Sequence, residues 1–159
     1  MPHKNPVWFS EDGLDLAKFP IDGILKQAVG SDEEQFRSAV RMLQSMCGCG
    51  RTEAGVFLLG LLATCDDDWE KRIAIVEALG FFETKACTDY LFSELRRVES
   101  SNTTRRYLTA IIKVLVKMPS ELVEDGFEAL AADKSFSQKM RAKFKAAVQA
   151  VIWREDRIF

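Results

Sequence analysis

The residue types best equipped for chemistry in this chain are four cysteines, one histidine and several clustered acids. Cys47 and Cys49 flank Gly48, while Cys65 and Cys87 stand apart. A zinc site calls for a Cys-x₂₋₄-Cys pair answered by a second pair or by histidines. Here the gap is a single residue and His3 is the only histidine, so no metal site is expected. The spacing reads instead as small apolar residues at a helix end, with Gly48 and Gly50 stopping the helix. A neighbouring cysteine does not by itself lower a thiol pKa, so it assigns no redox role. Ser-His-Asp and Cys-His catalysis would both have to draw on His3, in an arm rich in turn residues. No Gly-x-Gly-x-x-Gly, Walker-type or Gly-x-Ser-x-Gly motif occurs. Acids such as Glu124 with Glu128, or Asp66 to Asp68, read as solvated helix positions rather than an acid–base dyad. No catalytic residue, cofactor or metal is expected, and the balance weighs against an enzyme.

The elements that must position any other site are helical. The chain has 159 residues, 47% apolar and 29% charged, which suits one domain with a real core. No apolar run reaches the roughly 18 residues of a membrane span. No apolar signal core follows Met1 to Pro6, so a cytoplasmic protein with reduced thiols is expected. From Ser31 onward, apolar residues recur at steps of three and four. Phe36, Ala39, Val40, Leu43 and Met46 form one stripe, and Leu58, Leu61, Leu62 and Cys65 another. Leu108, Ile111, Ile112 and Leu115 repeat it, as do Val123, Gly126, Phe127 and Leu130. Met140, Phe144, Ala147, Val148 and Val151 form the last. The run from Ile73 to Phe82 is apolar on nearly all sides, and periodicity alone allows a buried strand there. Its length, its two alanines and the helix-start signal before it favour a helix buried on several faces.

Helix starts mark a repeat. Ser31 precedes Glu34 by three residues, Asp67 precedes Glu70, and Ser135 precedes Gln138, each a capping-box pattern or its Asp analogue. Asn102 is a fourth cap. These sites recur every 33 to 36 residues, a period that indicates a helical array with two helices per unit. The expected spans are 32–46 with 52–64, 67–82 with 85–98, and 103–118 with 120–132, then a final helix over 136–153. Residues 20–29 form a short helix ended by Gly30.

Lys71-Arg72-Ile73-Ala74-Ile75-Val76-Glu77-Ala78-Leu79-Gly80 resembles the first helix of HEAT-like repeats, in particular the short bacterial variety of phycobilin-lyase-type proteins. The segments Phe36 to Leu43 and Arg105 to Ile112 lack the Leu-Gly ending. The resemblance implies an all-α, right-handed α-solenoid of about three and a half helix pairs. It divides the chain into an N-terminal arm and short capping helix (1–30), the repeat domain (31–153) and a C-terminal tail (154–159). Stacking is what such units need, since one pair cannot bury its apolar face alone. The resemblance also implies a binding function without specifying the partner.

Charge supplies the candidate surfaces. The net charge of −2 gives no global pull toward nucleic acid. Residues 1–79 carry 8 Lys/Arg and 13 Asp/Glu, whereas residues 80–159 carry 14 and 11. Lys134 to Lys145 holds five cations and no acid, read foremost as the solvated face of a terminal helix, with Lys139 and Lys143 as its binding candidates. Arg37, Arg72, Arg105 with Arg106, and Arg141 fall near the starts of first helices. The resemblance gives Arg72 a structural role. Arg105 and Arg106, with Arg96 and Arg97 nearby in sequence, form the better candidate patch. Glu121, Glu124, Asp125 and Glu128 form an acidic helix face that suits a basic or amphipathic segment. Trp8, Phe9, Trp153, Ile158 and Phe159 at the ends are expected to fold back over helix edges, with docking as the alternative. The leading expectation is a non-enzymatic adaptor that binds another protein, with no membrane partner. Nucleic-acid binding through the basic C-terminal half is the second reading, set back by a pI of about 5.5. A subunit of a chromophore-lyase-like complex is the third.

Overall fold

The computed structural model describes residues 9, 10, 13–15 and 18–156. Their architecture is all-helical apart from one minimal antiparallel ladder, in which β1 (Phe9–Ser10) pairs with β2 (Gly13–Leu14). Eight helices follow: α1 (Asp22–Val29), α2 (Glu33–Gly48), α3 (Thr52–Thr64), α4 (Trp69–Ala78), α5 (Lys85–Arg97), α6 (Arg105–Val116), α7 (Ser120–Ala132) and α8 (Gln138–Asp156). A 3-10 turn, Leu79–Phe81, tightens the end of α4. The segment that left a strand reading open is therefore helical. It buries Arg72, Ile75, Val76 and Ala78 while Glu77 and Phe81 face solvent. No helix among the described residues is long and apolar enough to cross a membrane.

The helix starts differ from the expected caps by one or two residues. Asp32 rather than Ser31 caps α2, accepting from the Gln35 N–H at 3.0 Å. Asp68 rather than Asp67 caps α4 through the Lys71 N–H at 3.3 Å. Thr104 rather than Asn102 precedes α6, and its hydroxyl donates to the Glu99 carbonyl at 2.6 Å. Ser137 rather than Ser135 accepts from the Met140 N–H at 3.2 Å at the start of α8. At Asp32, Asp68 and Ser137 the acceptor closest to the first helical turn makes the bond, because a cap must reach only two or three residues ahead; Thr104 makes no such forward bond. The α2 end is also corrected. Gly48 is helical, and Gly50 makes the stop with φ +91°. The Gly50 N–H donates to the Cys47 carbonyl and the Arg51 N–H to the Met46 carbonyl, both at 3.0 Å. This paired closure favours glycine at its left-handed position.

The chain divides into two compact units, residues 1–82 and 83–159. In the first, α2 packs against α1, α3 and α4, and the 3-10 turn fits against α2, α3 and α4. Leu43, Met46, Leu58, Leu62, Ile75 and Leu79 are fully buried there. In the second, α5 packs on α6 and α7, and α8 packs on α6 and, most extensively, α7. Its core is built on Leu91, Leu95, Tyr107, Ile111, Phe127 and Phe144.

Arginines close helix ends in both units. Arg72 is 3% exposed; its Nη1 donates to the Cys65 carbonyl at 2.7 Å, just past α3. Its guanidinium also lies 6.0 Å from the Trp69 ring centroid. Arg154 on α8 donates to the Val116 carbonyl at 2.9 Å and to the Met118 carbonyl, both at the end of α6. The last carbonyls of a helix have no partner within it, and these guanidinium groups supply one.

Two glycines admit close aromatic contact. A Cβ at Gly55 would stand 2.3 Å from Phe82 Cδ2, and one at Gly126 would stand 2.4 Å from Phe92 Cε2. Phe92 also meets Phe127 edge-on, with centroids 5.1 Å apart. Gly60, in the same helix as Gly55, has open space where its Cβ would be. The two therefore respond oppositely to alanine. Gly60→Ala is expected to stabilise by about 0.5–1 kcal/mol through helix propensity. Gly55→Ala is expected to destabilise by about 1–3 kcal/mol through overpacking. Urea unfolding midpoints of the two variants check this, and equal shifts would refute the ring-on-glycine contact.

Candidate functional site

Among the described residues, the reactive side chains do not converge. None of the four cysteines forms a disulfide with another. Cys47 is buried and Cys49 exposed, as residues two apart on a helix end must be. Burial pushes the Cys47 thiol up. It does the same at Cys65, although the cations of Arg72 and Lys71 pull the other way. Raised pKa values hold both as thiols near neutral pH, which is opposite to nucleophile activation. Among the described residues, no three metal-ligating side chains cluster. His3, Trp8, Ile158 and Phe159 lie outside the described residues.

Recesses in the first unit include the following two, formed by described residues. One, of about 330 Å³, is lined by Phe36, Leu61, Ile75, Cys65 and Lys71 among others. Lys71 Nζ sits 5.3 Å from the Phe36 ring centroid, so the cation is engaged on the wall. The other, of about 500 Å³, is mostly apolar and runs along Ile21, Leu25, Val56 and Phe57.

The second unit sorts its charges by helix. On α7, the buried residues Val123, Phe127, Leu130 and Ala131 fix one face inward. Glu121, Asp125 and Glu128 then share the exposed face, and Glu124 is half-buried at its edge. On α6, Tyr107, Leu108, Ala110, Ile111, Val114 and Leu115 point inward. Its exposed face holds Arg105, Arg106, Thr109 and Lys113, with Lys117 just past its end, and no acid. On α8, Lys139 is exposed and Lys143 half-buried.

The four candidate arginines separate into two kinds. Arg96 Nη1 donates to Asp133 Oδ2 at 2.7 Å. Arg97 holds Glu94 in a two-point grip at 2.7 and 3.0 Å. Glu94 is 2% exposed and also accepts from the Tyr107 hydroxyl at 2.6 Å. A buried carboxylate needs such partners, so Arg97 is committed to Glu94, while Arg96 pairs with the partly exposed Asp133. Arg105 is exposed and donates only a 3.3 Å bond to Asn102 Oδ1, and Arg106 is exposed beside it. These two cations occupy the first turn of α6, which holds no acid of its own. A helix start is the positive end of the macrodipole, and a cation there costs roughly 0.3–1 kcal/mol.

The reading from sequence omitted Lys113 and Lys117. They lie outside the arginine-near-start pattern, but with Arg105 and Arg106 they make every charge on the exterior of α6 positive. No protein-family model, curated protein or solved structure matches this chain.

Asp133 gives a local check on this charge map. Its carboxyl is lowered to about 2, first by bonds from the Ser135 hydroxyl and N–H and then by Arg96. A depressed carboxyl stabilises the fold above its unfolded value, and that contribution is lost as pH falls through the folded value. Its stabilisation should therefore fade between about pH 4 and pH 2. Carboxyl NMR titration should place the Asp133 midpoint near 2. Ser135→Ala should raise it more than Arg96→Ala does; the reverse order would contradict the assignment.

Proposed function

We propose that this chain is a non-enzymatic, protein-binding adaptor, built as a right-handed solenoid of about three and a half HEAT-like helix pairs. The observation that carries the reading is the exposed acidic face of α7: Glu121, Asp125 and Glu128 stand together outside a helix whose other face is locked into the core. A basic or amphipathic segment complements that face by charge. The repeat reading draws support from the cap positions, Asp32, Asp68, Thr104 and Ser137, which recur at 36, 36 and 33 residues. It draws further support from helices packing on both their next and next-but-one neighbours, as α5 does on α6 and α7. The scattered thiols and the lone histidine favour binding over catalysis.

Affinity capture of the tagged full chain from its host lysate, with and without nuclease, tests the proposal. The expected result is a stoichiometric protein that survives nuclease. The triple variant Glu121→Lys/Asp125→Lys/Glu128→Lys should recover at least about tenfold less of it, the scale of a 1.4 kcal/mol loss. Loss of every partner on nuclease treatment would overturn the adaptor reading.

A further inference from the structure

We infer that the apolar groove between α1 and α3 is a docking site for an amphipathic helix of a partner protein, one that carries basic residues at one end. The inference concerns the first unit and does not rest on the α7 reading.

The groove follows from how the two recesses are lined. Ile21 and Leu25, at the start of α1, meet Thr52, Val56 and Phe57 of α3 around the larger recess. Ala28 and Val29, at the end of α1, meet Leu61 and Thr64 around the smaller. The two helices therefore run side by side in the same direction, each packed on α2, and the recesses are two stations of one groove. From Ala54 to Ala63, α3 holds no polar side chain. A helix apolar all round belongs in a core. Here Val56 on α3 is 61% exposed and Val29 on α1 is 66% exposed. Gly60 lies between the recesses on α3 and is exposed. A Cβ there would meet open space, so nothing in the fold calls for glycine, whereas a second backbone approaching closely would.

Spacing selects the shape of the occupant. The middles of the two recesses are about six residues apart on α1 and about eight on α3, hence about 9 and about 12 Å. On a helix, residues seven apart share a face and stand about 10.5 Å apart. In an extended segment, residues on one face stand about 6.6 or about 13 Å apart, and both miss that interval. Two apolar anchors seven residues apart on a helix fill the two recesses.

Charge selects its ends. Because α1 and α3 are parallel, both turn the negative ends of their dipoles toward the smaller recess. Asp66 and Asp68 stand on its wall. Lys71, on the same wall, is drawn over the Phe36 ring. At the larger recess, Glu53 is held by Arg51 at 2.8 Å, so that end is balanced. A helix whose basic residues lie over Asp66 and Asp68 complements the groove. A second copy of this chain would bring a half in which 8 Lys/Arg stand against 13 Asp/Glu over residues 1–79, acid against acid.

The test is selection from a displayed library of helical peptides of about 16 residues, long enough at 1.5 Å per residue to span α3. The bait is the full chain carrying Glu121→Gln/Asp125→Asn/Glu128→Gln, so that the acidic face of α7 does not compete. Recovered peptides should carry large apolar residues seven apart and Lys or Arg toward one end. Added to the unaltered chain, they should shift the amide NMR signals of Leu25, Val29, Val56, Phe57 and Leu61. Gly60→Gln, which sets a long polar side chain between the recesses, should weaken binding at least about fivefold while leaving the thermal midpoint unchanged or higher. Asp66→Asn should weaken it too, and less so at high salt. The inference is overturned if no peptide is enriched, if enriched peptides lack the seven-residue spacing or are acidic, or if Gly60→Gln binds as well as the unaltered chain. Self-association of the chain that Gly60→Gln abolishes would overturn it in favour of a second copy. Signals that shift on α7 instead would also overturn it, and would leave the α7 reading standing.

Discussion

A helix that ends against a hydrophobic core leaves carbonyl oxygens with no donor of their own, and burying them bare costs about as much as a lost hydrogen bond. Arg72 and Arg154 answer this constraint in the two units. Each reaches from a later helix to the end of an earlier one, so the bond that satisfies the carbonyl also fixes where the later helix lies. Arg72 does so from the buried face of α4, among Ile75, Val76 and Ala78, and its 3% exposure shows how far the chain goes to bring a cation to that turn. Around these ties the packing is close. Phe82 on Gly55 and Phe92 on Gly126 leave no room for even a methyl group, so these contacts admit glycine alone without rearrangement.

Once each helix has its inward face fixed, the outward face is determined as well. This is why the second unit presents a cationic α6 and an acidic α7 rather than a mixed exterior. The residues that could have formed a reaction centre are dispersed by the same packing. Cys47 is turned inward and Cys49 outward, Glu94 is held by Arg97 and Tyr107, and Lys71 rests over Phe36.

Much of the fold was legible in the sequence because helix periodicity is a property of the local chain. Phe36 to Met46 and Phe144 to Val151 are buried as their spacing indicates. Caps were less legible, since neighbouring acceptors such as Ser31 and Asp32 compete and only geometry selects one. Gly48 and Gly50 look equivalent in sequence, yet only Gly50 takes the left-handed turn. The surfaces were legible in part. The α7 acids follow directly from helical spacing, whereas the fate of Arg96 depends on Asp133, 37 residues away. Partnerships of that range leave no local trace. Lys113 and Lys117 look like ordinary solvated lysines until the buried side of α6 is known.

The two arginines that open α6 also carry a consequence for how this sequence can drift. A helix start favours acids, so the positive charges at 105 and 106 are opposed by the dipole of their own helix. An acid introduced at either position would complement the dipole instead, so the opening turn of α6 is a place where a single charge change reverses the electrostatic character of the whole helix end.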